Sequence, residues 1–182
     1  MKLRLPVLLL ATLLASAACT AAADPGASPA AAGSDPDAPW RTSPLRDSRT
    51  GETFAVDDLR GKLVAIEPMA VWCSNCRIQQ LEAATALTML ADPDIVYVSV
   101  DVDPNERDED LAKYADQWGF EWRFVVADVD VARSLADEFG PQVLSPPSTP
   151  LIIVAPNGDV VDQHFGIRTA TELFELFSQH RS

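Results

Sequence analysis

The chain has 182 residues, of which 47% are apolar, and a formal net charge of −13 from 14 Lys and Arg against 27 Asp and Glu. That length and apolar fraction support one packed domain with additional terminal segments. The charge excludes nucleic acid as a ligand, because a phosphate backbone must be met by cations; the acidity serves mainly solubility, with attraction of basic partners as a secondary effect.

Residues 1–23 read as an export signal, with Lys2 and Arg4 as a positive start, Leu5 to Leu14 as an apolar stretch, and small residues after it. Three endings fit these residues. Ser16-Ala17-Ala18-Cys19 matches the bacterial lipoprotein pattern of a cysteine after small residues, with Ser16 where leucine is usual, so Cys19 is a candidate lipidation site. Cleavage after Ala15-Ser16-Ala17 or Ala21-Ala22-Ala23 would instead release the protein. Left uncleaved, the uncharged stretch from Leu5 to Ala23 approaches the length of a membrane anchor. All three put the protein outside the cytoplasm, in a periplasm or on the outer face of the cytoplasmic membrane. The first two leave a single cysteine pair, since Cys19 is either modified or removed. Residues 24–39, rich in Ala, Pro, Gly, Ser and Asp without a large apolar side chain, cannot order themselves and form a flexible linker.

Residues 40–182 alternate strand and helix patterns, which predicts an α/β domain with helices on the faces of a mixed sheet. Strands are expected at about Thr53 to Val56, Leu63 to Met69, Ile95 to Asp101, Arg123 to Ala127, Leu151 to Ala155 and Val160 to His164. Helices are expected from about Cys73 to Leu90, Arg107 to Trp118, Val129 to Phe139 and Thr171 to His180. Asn157-Gly158 supplies the positive φ angles of a hairpin, so the last two strands should be antiparallel. No internal repeat or second domain is visible.

Cys73 and Cys76 stand where the strand ending at Met69 gives way to a helix. There the free backbone N–H groups and the helix dipole favour a thiolate at Cys73. A structural zinc site would need about four ligands, and Cys19, His164, His180 and the carboxylates offer no partner spacing, so no metal is expected. A purely structural bridge more often closes a long loop; a short one at a helix mouth suits opening and closing. Glu67, six positions before Cys73 in an otherwise apolar strand, is costly to bury as an ion and should therefore raise its pKa.

Trp72-Cys73-Ser74-Asn75-Cys76 after an apolar strand, then further strands and helices, then Ser148-Thr149-Pro150 leading into a hairpin and a last helix, resembles the thioredoxin superfamily. Within it the chain is most similar to exported TlpA-like thiol:disulfide oxidoreductases. They share an N-terminal extension with a phrase like Gly51-Glu52-Thr53-Phe54 to Leu59-Arg60-Gly61-Lys62 and a central helix-strand insert, here Asn105 to Ala127. The resemblance implies a thioredoxin-like fold and disulfide exchange with exported protein thiols and disulfides, without a cofactor, through Cys73 and Cys76. It implies that Glu67 deprotonates Cys76, that Trp72 covers the disulfide and contacts clients, and that Pro150 is cis, turning the Thr149 backbone toward an extended client. Arg77 reads as a solvated cation. A membrane protein would supply electrons, and the chain would touch the membrane through its N-terminal lipid or anchor. Ser74-Asn75 lacks the histidine of strongly oxidising relatives, which leans toward a reductant. The peroxiredoxin phrase is absent, because Pro68 is followed by Met69-Ala70-Val71-Trp72-Cys73. The alternative is a Sco-like copper chaperone, although Sco proteins place three residues between their cysteines and a histidine before a late strand. His164 follows the hairpin turn and reads as an exposed strand residue.

Overall fold

The structure, a computed structural model, describes residues 35–181. The export signal, Cys19 and most of the linker lie outside the described residues. The chain runs α1 (Pro39–Thr42), β1 (Leu45–Arg46), β2 (Thr53–Phe54), β3 (Leu63–Met69), α2 (Ser74–Leu90), β4 (Ile95–Asp101), α3 (Asp108–Trp118), β5 (Arg123–Val126), α4 (Val129–Phe139), β6 (Pro150–Val154), β7 (Val160–Phe165) and α5 (Ala170–His180). Short 3-10 turns lie at Val56–Leu59, Pro141–Leu144 and Pro146–Ser148.

Five strands form one mixed sheet in the order β5-β4-β3-β6-β7. β3, β4 and β5 are parallel, while β6 runs antiparallel to both β3 and β7. β3 is central and buried on both faces, which is why it reads as a nearly continuous apolar run rather than an alternating one. Val64 and Ile66 point to one layer, where they join Trp40, Leu135 and Phe139 from α1 and α4. Leu63 and Ala65 point to the other, where Ala83 and Ala86 of α2 and Leu173 and Phe177 of α5 cover them. Met69 continues that second layer against Leu111 and Tyr114 of α3 and both cysteines. The helix-strand insert therefore does two things: β5 extends the sheet beyond β4, and α3 packs beside the cysteine pair.

β3 pairs with β6 only through Val64, Ala65 and Ile66. Continued by two positions, that register would put Pro68 opposite Pro150, and neither residue has an N–H to give. The ladder stops there, and β3 runs on toward the cysteines paired to β4 alone.

The expected elements stand, with differences at the margins. The strand expected over Thr53 to Val56 is a two-residue strand paired to β1, itself unforeseen. Val56 and Leu59 are three apart, so a 3-10 turn with three residues per turn buries both on one side. The last hairpin is antiparallel as the Asn-Gly turn required, with Gly158 at φ 93. Trp40 is 1% exposed, its ring edge-on to Phe139 and its Nε1 donating to Glu138 at 2.6 Å.

Candidate functional site

α2 starts immediately after Cys73, which caps the helix in an extended conformation. The Cys76 N–H donates to Cys73 Sγ at 3.1 Å, so one of the unpaired amides of the first turn points at that sulfur. Cys73 and Cys76 are joined as a disulfide with their Cα atoms 5.3 Å apart. Both are buried, Cys76 completely and Cys73 to 2% exposure.

The Pro146–Ser148 turn lies against the start of α2. The Pro146 carbonyl oxygen is 3.2 Å from Cys76 Sγ, a contact in which the reduced thiol would be the donor, and Asn75 Nδ2 donates to the Pro147 carbonyl at 3.0 Å. The expectation of a cis Pro150 is not met: there is no cis peptide bond among the described residues. The bend is made one residue earlier, by Thr149 in the left-handed region at φ 46 and ψ 63. That geometry spends the Thr149 N–H on the Pro146 carbonyl at 2.8 Å. Thr149 and Pro150 are both buried, whereas Leu144, Ser145 and Pro147 are exposed. Trp72 is 58% exposed and thus not a core residue.

The loop after β4, whose acids carry no motif in the sequence, holds the other side of the site. Trp72 Nε1 donates to Asp103 Oδ2 at 2.7 Å, and the Val71 N–H donates to Glu106 Oε2 at 2.8 Å. The Asp103 N–H in turn donates to Asp101 Oδ1 at 2.9 Å. Burial pushes the Asp101 carboxyl up to about 8, opposed by the Asp103 N–H and reinforced by the neighbouring Glu106 and Asp103 carboxylates. Asp103 goes the other way, lowered first by the Trp72 N–H and then by Asn105. Asp103 and Glu106 act against the helix terminus, since negative charge on this side of the site disfavours a thiolate at Cys73. Arg77 is not simply solvated; its guanidinium sits 4.8 Å from the centre of the Trp118 ring.

Glu67 is fully buried on the α2 side of the sheet. Its Oε2 accepts from Gln80 Nε2 at 2.9 Å and from Ser99 Oγ at 3.2 Å, while Oε1 has no hydrogen-bond partner. Burial raises its pKa from the ordinary 4.5 to about 8, with the bonds from Gln80 and Ser99 and the nearby Tyr97 hydroxyl opposing the rise. The costly carboxyl expected from the sequence is therefore protonated near neutrality. Gln80 lies one helical turn after Cys76 on the same buried face of α2.

His164 is half-buried on β7, opposite Leu151, rather than exposed. Burial lowers its pKa, and Arg168 adds to that. Among the described residues no group of three or more His, Cys, Asp and Glu is placed to hold a metal ion.

No family profile matches the chain, and no curated protein matches it in sequence. Solved structures do resemble it. A thiol:disulfide interchange protein of the thioredoxin family from Chlorobium tepidum superposes with a TM-score of 0.62 at 18% identity, over 79% of this chain and 98% of that one. The thioredoxin domain of a thiol-disulfide oxidoreductase from Bacteroides vulgatus does so with a TM-score of 0.62 at 19% identity, over 76% and 92%. A lipoprotein of the Sco/SenC family from Bacillus anthracis gives 0.61 at 19% identity, over 78% and 95%. The chain has a thioredoxin-like fold.

Proposed function

We propose that this chain is an exported thiol:disulfide oxidoreductase that works mainly as a reductant of protein disulfides. The observation that carries the reading is the Cys73–Cys76 disulfide at the mouth of α2, with the Cys76 amide directed at Cys73 Sγ. In the reduced protein the Cys73 thiolate attacks one sulfur of a client disulfide. That bond breaks, the departing client thiolate takes a proton, and a mixed disulfide joins client to Cys73. In molecules whose Glu67 is ionised, the minority at neutral pH and a growing share toward pH 8, Cys76 then gives up its proton to that carboxylate and attacks Cys73 Sγ. The second client thiol leaves, the client has gained two electrons, and the Cys73–Cys76 disulfide is restored for re-reduction by a dithiol donor at the membrane. Trp72, with the exposed Pro147 beside Asn75, supplies client-contact surface, and Thr149 and Pro150 shape the wall behind it.

The lean toward reduction rests on the acidic loop. A thiolate that is less stabilised makes the dithiol form a better electron donor, and Asp103 and Glu106 sit against Trp72 and Val71. Export rests on residues 1–23 and the Ala-, Pro-, Gly-, Ser- and Asp-rich stretch that follows them, up to the buried Ala38 and the start of α1 at Pro39, with lipid attachment at Cys19 as the preferred ending and membrane contact through that lipid. Among the described residues no helix is long and apolar enough to cross a membrane.

The likeness to a Sco/SenC lipoprotein raises a second reading, copper delivery. Against it, the cysteines have two residues between them rather than three, and among the described residues no histidine joins them in a three-ligand cluster. Reduction of a protein disulfide by the dithiol form, assayed in parallel with a copper(I) titration, separates the two. Turnover with weak copper binding upholds the oxidoreductase; tight one-to-one copper binding with negligible exchange upholds the chaperone.

A further inference from the structure

Glu67 does not stand alone in the core; it ends a directed chain of hydrogen bonds whose other members come from α2, β4 and the helix-strand insert. Trp122 Nε1 is only a donor, and it donates to Ser99 Oγ at 3.0 Å. The Ser99 hydroxyl hydrogen is then free to point onward to Glu67 Oε2. On the second branch the Tyr114 hydroxyl donates to Gln80 Oε1 at 2.6 Å. That leaves the Gln80 amide nitrogen facing Glu67 Oε2 and, at 3.4 Å, Ser99 Oγ. Both branches deliver hydrogens to the same carboxyl oxygen. A proton carried by Glu67 is therefore carried on Oε1, the oxygen without a partner.

From this geometry we infer that Gln80 is a positioning residue for the buried acid, held in one orientation by Tyr114 so that Oε2 stays an acceptor and Oε1 becomes the proton-bearing atom. The inference rests on the proposed role of Glu67 in accepting the Cys76 proton. During resolution that proton leaves Cys76 Sγ as the new sulfur–sulfur bond forms, and it is held at Oε1 until water takes it. Tyr114 and Trp122 belong to the insert, which thereby adjusts the acid from outside the strand–helix unit that carries the cysteines.

The titratable groups around the carboxyl are few. β4 contributes Tyr97, whose buried hydroxyl lies near the carboxyl without a well-formed hydrogen bond to it, and Asp101 at its end; α3 contributes Tyr114; α2 contributes the cysteine pair; β6 contributes none. Among the described residues no Lys or Arg bonds to Glu67. Hydrogen bonds to the ionised form are thus the main force opposing burial, and removing one must favour the protonated acid.

The test follows the Glu67 carboxyl by infrared spectroscopy across pH in the oxidised protein, identifying its band by its loss in Glu67→Gln. The pH profile of the resolving step is recorded in parallel on the reduced protein. Gln80→Met, similar in shape but without the donor, should move the carboxyl midpoint upward by about one pH unit or more, and Tyr114→Phe should move it the same way by less. The resolving-step profile should follow both, and Gln80→Met should leave that profile unshifted in a Glu67→Gln background. An unmoved carboxyl midpoint in both variants overturns the positioning role. A midpoint that moves without the kinetics upholds the positioning and instead removes Glu67 from the proton transfer.

Discussion

Replacing Glu67 by Gln should remove a specific dependence of stability on pH. The carboxyl titrates at about 8 in the folded protein and at about 4.5 when unfolded. Between those values the folded state holds a proton that the unfolded state has lost, so stability falls as pH rises. The contribution is fully present below about 4.5 and is lost by about 8. Its steepest slope is about 1.4 kcal/mol per pH unit, which over pH 5 to 7 amounts to roughly 2–3 kcal/mol. Gln has no such titration. It keeps an oxygen to accept from Gln80 and Ser99, and its amide replaces the unpartnered Oε1 at a pH-independent cost of about 1–3 kcal/mol. Urea denaturation of the oxidised proteins, whose cysteines do not titrate, measures this directly. Glu67→Gln should be the less stable protein at pH 5 and should close or reverse that gap by pH 8. Asp101 is raised to about 8 as well, so both proteins retain a slope from it, and only their difference reports on Glu67. A gap that stays constant from pH 5 to 8 would refute the protonated, buried acid.

In stopped-flow exchange with a disulfide peptide, Glu67→Gln should slow the resolving step more than the initial attack; equal rates for both steps in variant and parent would take Glu67 out of the mechanism. Trp40→Ala should cost about 3–5 kcal/mol by calorimetry or urea titration, since it empties a site closed by Phe139 and removes the donor to Glu138. Trp72→Ala should leave the unfolding free energy within about 0.5 kcal/mol because the ring is exposed, while raising KM for a protein client more than it lowers kcat.

What could be read from the sequence follows a physical divide. β3, β4 and β6 announce themselves because burial on both faces leaves apolar runs, and the cysteines and Glu67 are conspicuous for where they interrupt that pattern. The β1–β2 hairpin is two residues deep and leaves no periodic trace. Gln80, Ser99, Tyr114 and Trp122 look ordinary in sequence, being spread over 43 positions, and only the packing of α3 and β5 beside α2 and β4 joins them to Glu67. Asp103 and Glu106 read as solvated loop acids until their bonds to Trp72 and Val71 are seen. Thr149 was expected to present its backbone beside a cis proline; its left-handed φ is fixed by the Pro146–Ser148 turn, and the Pro146-Pro147 pair was the local signal for that turn.

The central claim is that Cys73 attacks and Cys76 resolves, and trapping tests it most directly. Cys76→Ala and Cys73→Ala, each reduced, are mixed with a protein disulfide, quenched with acid and analysed by mass spectrometry. A covalent client adduct on Cys73 in the first variant and none in the second is the predicted result. Equal adducts in both variants, or none in either, would contradict it.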